Sequence, residues 1–226
     1  MCPPPFGLVR IKQRMKEQLM HPLPLKLDDF LDPKRTVLIM WDMQKGLAGK
    51  APNAASIVEN ARQLIAQADR LKIPVIWSRH IAPSFDMTVG PFLLWLMLKQ
   101  KVDHPSKLKP AMQRGMDETA YIDGFGPADH HLIIEKSQPS FFVDTPLAQR
   151  MKAMDRDTIV IGGVATDIGV EFTCRHAAAL GIYAVVAEDA CGAYSQDAQD
   201  RSMAFLKGWT TPVEKTQTIC SIWNKF

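Results

Sequence analysis

At 226 residues, 46% of them hydrophobic and 23% charged, the chain has the balance of one globular domain, which excludes a disordered or fibrous protein. A net charge of only +3 gives no warrant for nucleic-acid binding, which needs a concentrated basic stripe. Cys2, Cys174, Cys191 and Cys220 form no paired metal spacing, and a chain this long buries its core without staples. They read as reduced thiols of a cytoplasmic protein. The start, MCPPPFGLVRIK, carries no apolar run suited to a signal peptide. The most apolar short run, Pro91 to Leu98, is far below the ~20 residues of a membrane span, so no membrane partner is expected.

In chain order, residues 1–35 read as an N-terminal extension. Leu8, Ile11, Met15 and Leu19 recur at helical spacing on a basic background, predicting a short helix before the prolines of HPLPL (21–25). The domain proper spans 36–226. VLIMW (37–41) is a continuous apolar run, the mark of a strand buried on both faces. Ser56 and Glu59 form a capping-box pattern opening a helix. IPVIWS (73–78) and LIIEK (132–136) are the next strands. Thr145-Pro146 opens a helix, since proline suits a first turn. TIVIG (158–162) is a strand, followed by a helix from about Asp167 to Leu180 with Gly181 as its stop. YAVVAED (183–189) is a strand, Ser195 caps the last long helix, and VEKTQTI (213–219) is read as a sixth strand. This alternation predicts an α/β fold, a six-stranded parallel sheet with helices on both faces.

The segment 85–129 is too long for an ordinary connection. It contains GPFLLWLMLKQ (90–100), apolar nearly all round, which must be buried. It is expected to form a cap over the sheet edge or an interface in a homodimer or homotetramer.

Ligands of open parallel sheets bind beyond the carboxyl ends of the strands. Asp42 stands directly after the first strand, Arg79 and His80 after the second, and Lys136 ends the third. A carboxylate and an ammonium at the ends of buried strands are costly to desolvate unless paired, so the two are candidates for chemistry. Asp42 taken alone also fits a turn or cap aspartate. Arg79 fits a clamp for a substrate carboxylate or a surface salt bridge.

VLIMWDMQ (37–44), EKSQPSFFVDTPL (135–147) and GGVATDIGVEFTCRHAAALGI (162–182) resemble, in order, the three motif blocks of the isochorismatase-like, or cysteine hydrolase, superfamily, and EDACGA (188–193) resembles its later strand end. The resemblance implies a six-stranded parallel sheet. It implies that Asp42 is the acid/base group and that Lys136 holds that aspartate charged and orients the reacting group. It also implies a cis peptide at Val164-Ala165 and an oxyanion hole from the backbone N–H groups of Ala165 and Gly169. The family pattern G-x-A-T-x-x-C ends on the nucleophile, and here that position is Gly169, as in isochorismatases, which cleave a vinyl ether without a covalent intermediate. The missing side chain is expected to leave room for a bulkier substrate. Cys174 and Cys191 are read as packing residues.

The function expected is hydrolysis of a small carboxylated or aromatic molecule by Asp42 and Lys136, with Gln44, Arg79, Trp95 and Phe141 as substrate-binding residues. Direct hydrolysis of an amide or carbamate by water, or a family member that binds without catalysing, are the alternatives. No cofactor is expected. His80 lacks the D-x-H type of cluster that would hold a metal, so no metal is expected either.

Overall fold

A computed structural model describes residues 21–209 and 211–226. The helix expected over 8–20 lies outside the described residues. The elements run α1 (Leu27–Phe30), β1 (Thr36–Trp41), α2 (Ala54–Arg70), β2 (Val75–His80), α3 (Gly90–Gln100), β3 (Leu132–Lys136), α4 (Leu147–Ala153), β4 (Thr158–Val164), α5 (Glu171–Ala179), β5 (Tyr183–Gly192), α6 (Gln196–Lys207), β6 (Val213–Glu214) and α7 (Thr216–Trp223). No helix among the described residues is long and apolar enough to cross a membrane.

All six strands pair in parallel in the order β3-β2-β1-β4-β5-β6. The central strands β1 and β4 are buried at every position, as their unbroken apolar runs require. Side chains alternate between the two faces. Leu38 and Met40 point into a cluster with Ile57 and Leu64 of α2 and Ile219 and Trp223 of α7. Val37, Ile39 and Trp41 point the other way, toward Met151 of α4, Cys174 of α5 and Leu206 of α6.

Three local expectations need correction. Helix α2 begins at Ala54 after Asn53, so Ser56 lies inside its first turn and caps nothing. Only Val213–Glu214 of the expected sixth strand is a strand, because Thr216, Ile219, Ile222 and Trp223 bury one face at helical spacing and make α7. The apolar helix α3 forms as expected but has no fully buried residue in the single chain, with Leu94 57% and Leu98 70% exposed.

The described part of the expected extension packs onto the domain. Leu31 is fully buried, and its carbonyl accepts the indole N–H of Trp223 at 2.9 Å. Beside it, Arg35 makes a two-pronged contact with Asp157, Nε to Oδ1 at 2.8 Å and Nη2 to Oδ2 at 2.6 Å. Both residues are buried, so losing one partner strands a charge. Asp157→Ala is expected to cost about 3–5 kcal/mol in denaturant unfolding, the range for a broken buried pair. A loss below about 1 kcal/mol would show that the pair is solvated.

Candidate active site

The strand order reverses between β1 and β4, and the crevice beyond their carboxyl ends is where such sheets bind ligands. Asp42 follows β1 with φ +44°, a left-handed conformation uncommon for a side-chain-bearing residue and concentrated at functional sites. Its Oδ2 accepts from Lys136 Nζ at 2.6 Å, and the two side chains are 5% and 3% exposed. Ser78, at the end of the buried part of β2, donates its hydroxyl to Asp42 Oδ1 and accepts the Asp42 backbone N–H at 2.8 Å. The Lys136 ammonium also stands 4.0 Å from the Trp41 ring centroid. Burial lowers the Lys136 pKa from its ordinary value, and the Asp42 charge opposes that shift.

Across the crevice, β4 ends in a cis Val164-Ala165 peptide, and residues Thr166–Val170 form a single π-helical turn before α5. The N–H of Gly169 is donated to the Ala165 carbonyl at 2.9 Å. It is therefore engaged within the turn, and the oxyanion hole implied by the resemblance keeps at most its Ala165 member. Nor does Gly169 leave space. A Cβ built there would overlap the Trp41 indole at Nε1, Cε2 and Cζ2. Trp41 is 1% exposed and is held edge-on by Phe141, with ring centroids 5.5 Å apart. The expected room for a bulkier substrate at this point is thus taken by the indole. The buried thiols of Cys174 and Cys191 do not stand in for a cysteine at 169. Burial raises the Cys174 pKa well above its usual range and pushes Cys191 up to about 12, so neither supplies a thiolate near neutral pH.

Asp42, Lys136, Ala165, Gly169 and Trp95 all line one cavity of about 140 Å³, with Trp41 in its wall. Three expected substrate contacts stand elsewhere. Gln44 is fully buried and its amide is used up inside the protein: Nε2 donates to the carbonyls of His80 (3.0 Å) and Thr119 (2.9 Å), and Oε1 accepts the His80 N–H (2.7 Å). It braces β2 rather than touching substrate. Arg79 lies 4.0 Å from Glu135 and over the Tyr121 ring, facing away from the cavity as strand alternation demands. Phe141 is fully buried behind Trp41.

Sequence reading missed Ser78, Trp41 and Tyr194. Ser78 was signalled as the polar end of an otherwise apolar run. Trp41 was hidden because it completes an apolar strand. The His80 ring also lines the cavity, and burial first, then the Lys136 charge, lowers its pKa to about 4. It is neutral near pH 7.

Asp69, His130 and His131 gather potential metal-ligand atoms at the opposite end of the sheet. The buried His131 accepts N–H groups from Trp77 (3.1 Å) and Ala128 (3.0 Å) at Nδ1. Its proton therefore sits on Nε2, where it is donated to Asp69 Oδ1 at 3.0 Å. A cation would need that nitrogen bare, so these residues suit a hydrogen-bonded cluster better than a metal centre.

Residues 36–218 match the family model of the isochorismatase domain. YecD, an isochorismatase family protein of Escherichia coli O157:H7, is 34% identical over 176 residues, covering 76% of this chain and 88% of its own. The ureidoacrylate amidohydrolase RutB of Cronobacter turicensis is 24% identical over 202 residues, covering 81% of this chain and 87% of its own. A solved cysteine hydrolase from Pseudomonas syringae pv. phaseolicola shares the fold, with TM-score 0.75 at 23% identity over 86% of this chain and 94% of that one.

Two outcomes test this geometry. Gly169→Cys overpacks the Trp41 site and is expected to lower stability by about 1–3 kcal/mol. The loss is read from the denaturant midpoint. Equal stability of Gly169→Cys and wild type would place the indole elsewhere. For His80, a folded-state pKa below the unfolded value makes its contribution complete above about pH 6.5, with stability falling as the pH drops toward 4. Ring NMR of the native protein should give a titration midpoint near 4, and a midpoint near 6.5 would show a solvated ring.

Proposed function

The chain belongs to the isochorismatase family and is a hydrolase, and from that premise we propose that it cleaves a small carboxylated or aromatic substrate by proton transfer at Asp42, without a cysteine nucleophile. The observation that carries this reading is the Trp41 indole packed where a residue-169 side chain would stand, beside an intact Asp42–Lys136 pair. A thiolate has no place there, while the proton-handling group is held at both carboxylate oxygens, by Ser78 and by Lys136.

Vinyl-ether hydrolysis fits this arrangement best. In the reacting state Asp42 carries a proton taken up from solvent and delivers it to the terminal vinyl carbon, and the ether oxygen stabilises the resulting oxocarbenium. Water adds to the oxocarbenium carbon, the one that bears the ether oxygen, and gives its proton to the Asp42 carboxylate, and the hemiketal collapses to an alcohol and a ketone. The Lys136 ammonium balances the carboxylate that Asp42 becomes. The step needs no tetrahedral oxyanion formed from an acyl group, and the engaged Gly169 N–H is no obstacle to it.

The likeness to an amidohydrolase favours a second reading, in which Asp42 takes a proton from water as it attacks an amide or carbamate. That route builds charge on an acyl oxygen and would draw on the N–H donors of which one is occupied.

Two measurements decide between these routes. Cleavage of a vinyl ether in D₂O places deuterium on the carbon next to the new ketone, whereas amide hydrolysis releases ammonia or an amine with no new C–D bond. In either route Asp42→Asn should stay folded and lose about 10²–10⁴-fold in turnover, the usual worth of general acid–base catalysis. An Asn variant as fast as wild type would remove Asp42 from the chemistry.

A further inference from the structure

A second cavity, of about 590 Å³, adjoins the one at Asp42, and the two share Leu47, His80, Phe92, Trp95, Lys99 and Tyr194 in their walls. The small chamber suits a reacting group of a few heavy atoms. The large one is the size of a whole ligand site, and nothing in the Asp42 chemistry calls for it.

Helix α3 builds the large chamber. Phe92 and Trp95, one turn apart, stack with centroids 5.1 Å apart and planes 15° from parallel, which fixes both rings. Leu96 adds to the same wall. One turn on, Lys99 Nζ lies 4.7 Å from the Trp95 centroid, so the ammonium is anchored where the two chambers meet. The far wall is tied to α3 by Gln100, whose side chain donates to the Lys109 carbonyl at 3.0 Å and accepts the Lys109 N–H at 2.9 Å. The large chamber is therefore lined by a helix and a loop clasped together.

Its charge is one-sided. Glu118 and Lys50 answer each other at 3.5 Å, and Glu118 also accepts the Met112 N–H. Lys99 and Lys109 have no carboxylate partner among the described residues, and His80 is neutral near pH 7. Burial pushes the Tyr194 hydroxyl up to about 12, so it stays an uncharged donor at the junction.

We propose that the substrate has two parts: a small hydrolysable group presented to Asp42, and a bulky apolar body, of about two fused rings, that fills the α3 chamber and carries an anionic group to Lys99. This rests on the assignment of Asp42 as the reacting end. It makes α3 the element that selects the substrate, with Phe92, Trp95 and Leu96 reading its apolar body and Lys99 its charge.

The test is equilibrium binding by calorimetry at low salt, with 2-naphthoate as probe and the near-isosteric neutral 2-acetylnaphthalene as control. The full chain is expected to bind 2-naphthoate about two- to fivefold more tightly than the neutral ketone, the scale of one exposed ion pair. Lys99→Met, at an exposed position, should remove that preference, and Phe92→Ala should weaken both ligands. Equal binding of the two probes, or a preference that survives in Lys99→Met, overturns the proposal. No turnover is measured, so a failure here leaves the Asp42 chemistry standing, and a fully active Asp42→Asn enzyme leaves this binding result standing.

Discussion

The site depends on one buried ion pair that reaches across the sheet. Asp42 directly follows β1 and Lys136 ends β3, with β2 between them, and their 2.6 Å contact bridges the strand that separates them. Two charges this far from water are tolerated only where geometry and further hydrogen bonds compensate their lost hydration. Ser78, at the end of that middle strand, supplies one such bond, and the Trp41 face supplies a cation–π contact to the ammonium. All four groups are held by the register of three parallel strands, in which His80 stands opposite Lys136 and Met40 opposite Trp77. A slip of one residue would turn Asp42 or Lys136 to the other face. The precision of the pair is thus a property of the sheet and not of a loop.

Where the chain turns from sheet to chemistry, its backbone leaves the regular regions. Asp42 has positive φ, and the first turn after β4 is π-helical. A wider turn carries one extra residue and re-aims the groups it bears. Here it engages the Gly169 N–H with the Ala165 carbonyl and brings the glycine Cα against the indole. The same few residues therefore leave no room for a side chain at 169 and engage one of the backbone donors at the head of α5.

The sheet was legible because buried parallel strands are short, continuous and apolar, as VLIMW and TIVIG are. Helix α7 was not, because Val213, Ile219 and Ile222 leave strand and helix periods unresolved over so short a run. Asp42 and Lys136 could be found as the polar ends of such runs. Gln44, Arg79 and Phe141 were misjudged because each adjoins a motif without facing the cavity: Arg79 alternates away from it along β2, while Gln44 and Phe141 lie beyond the strands and are buried. Trp41 carries no polar flag in an apolar strand, and its meaning lies in what it touches 128 positions later. A pairwise fact of that kind is invisible to periodicity.

The interlocking of Trp41 with Gly169 also constrains how such a site changes over generations. A cysteine arriving at 169 meets the indole, and a small residue arriving at 41 leaves a void under Lys136 and beside Phe141. Either single step carries the cost of an overfilled or a hollow core, and each change offsets only part of the other's volume error. Substitutions at positions so coupled do not add. The two residues act as a ratchet, each opposing change at the other, while Asp42 and Lys136 stay paired beside them.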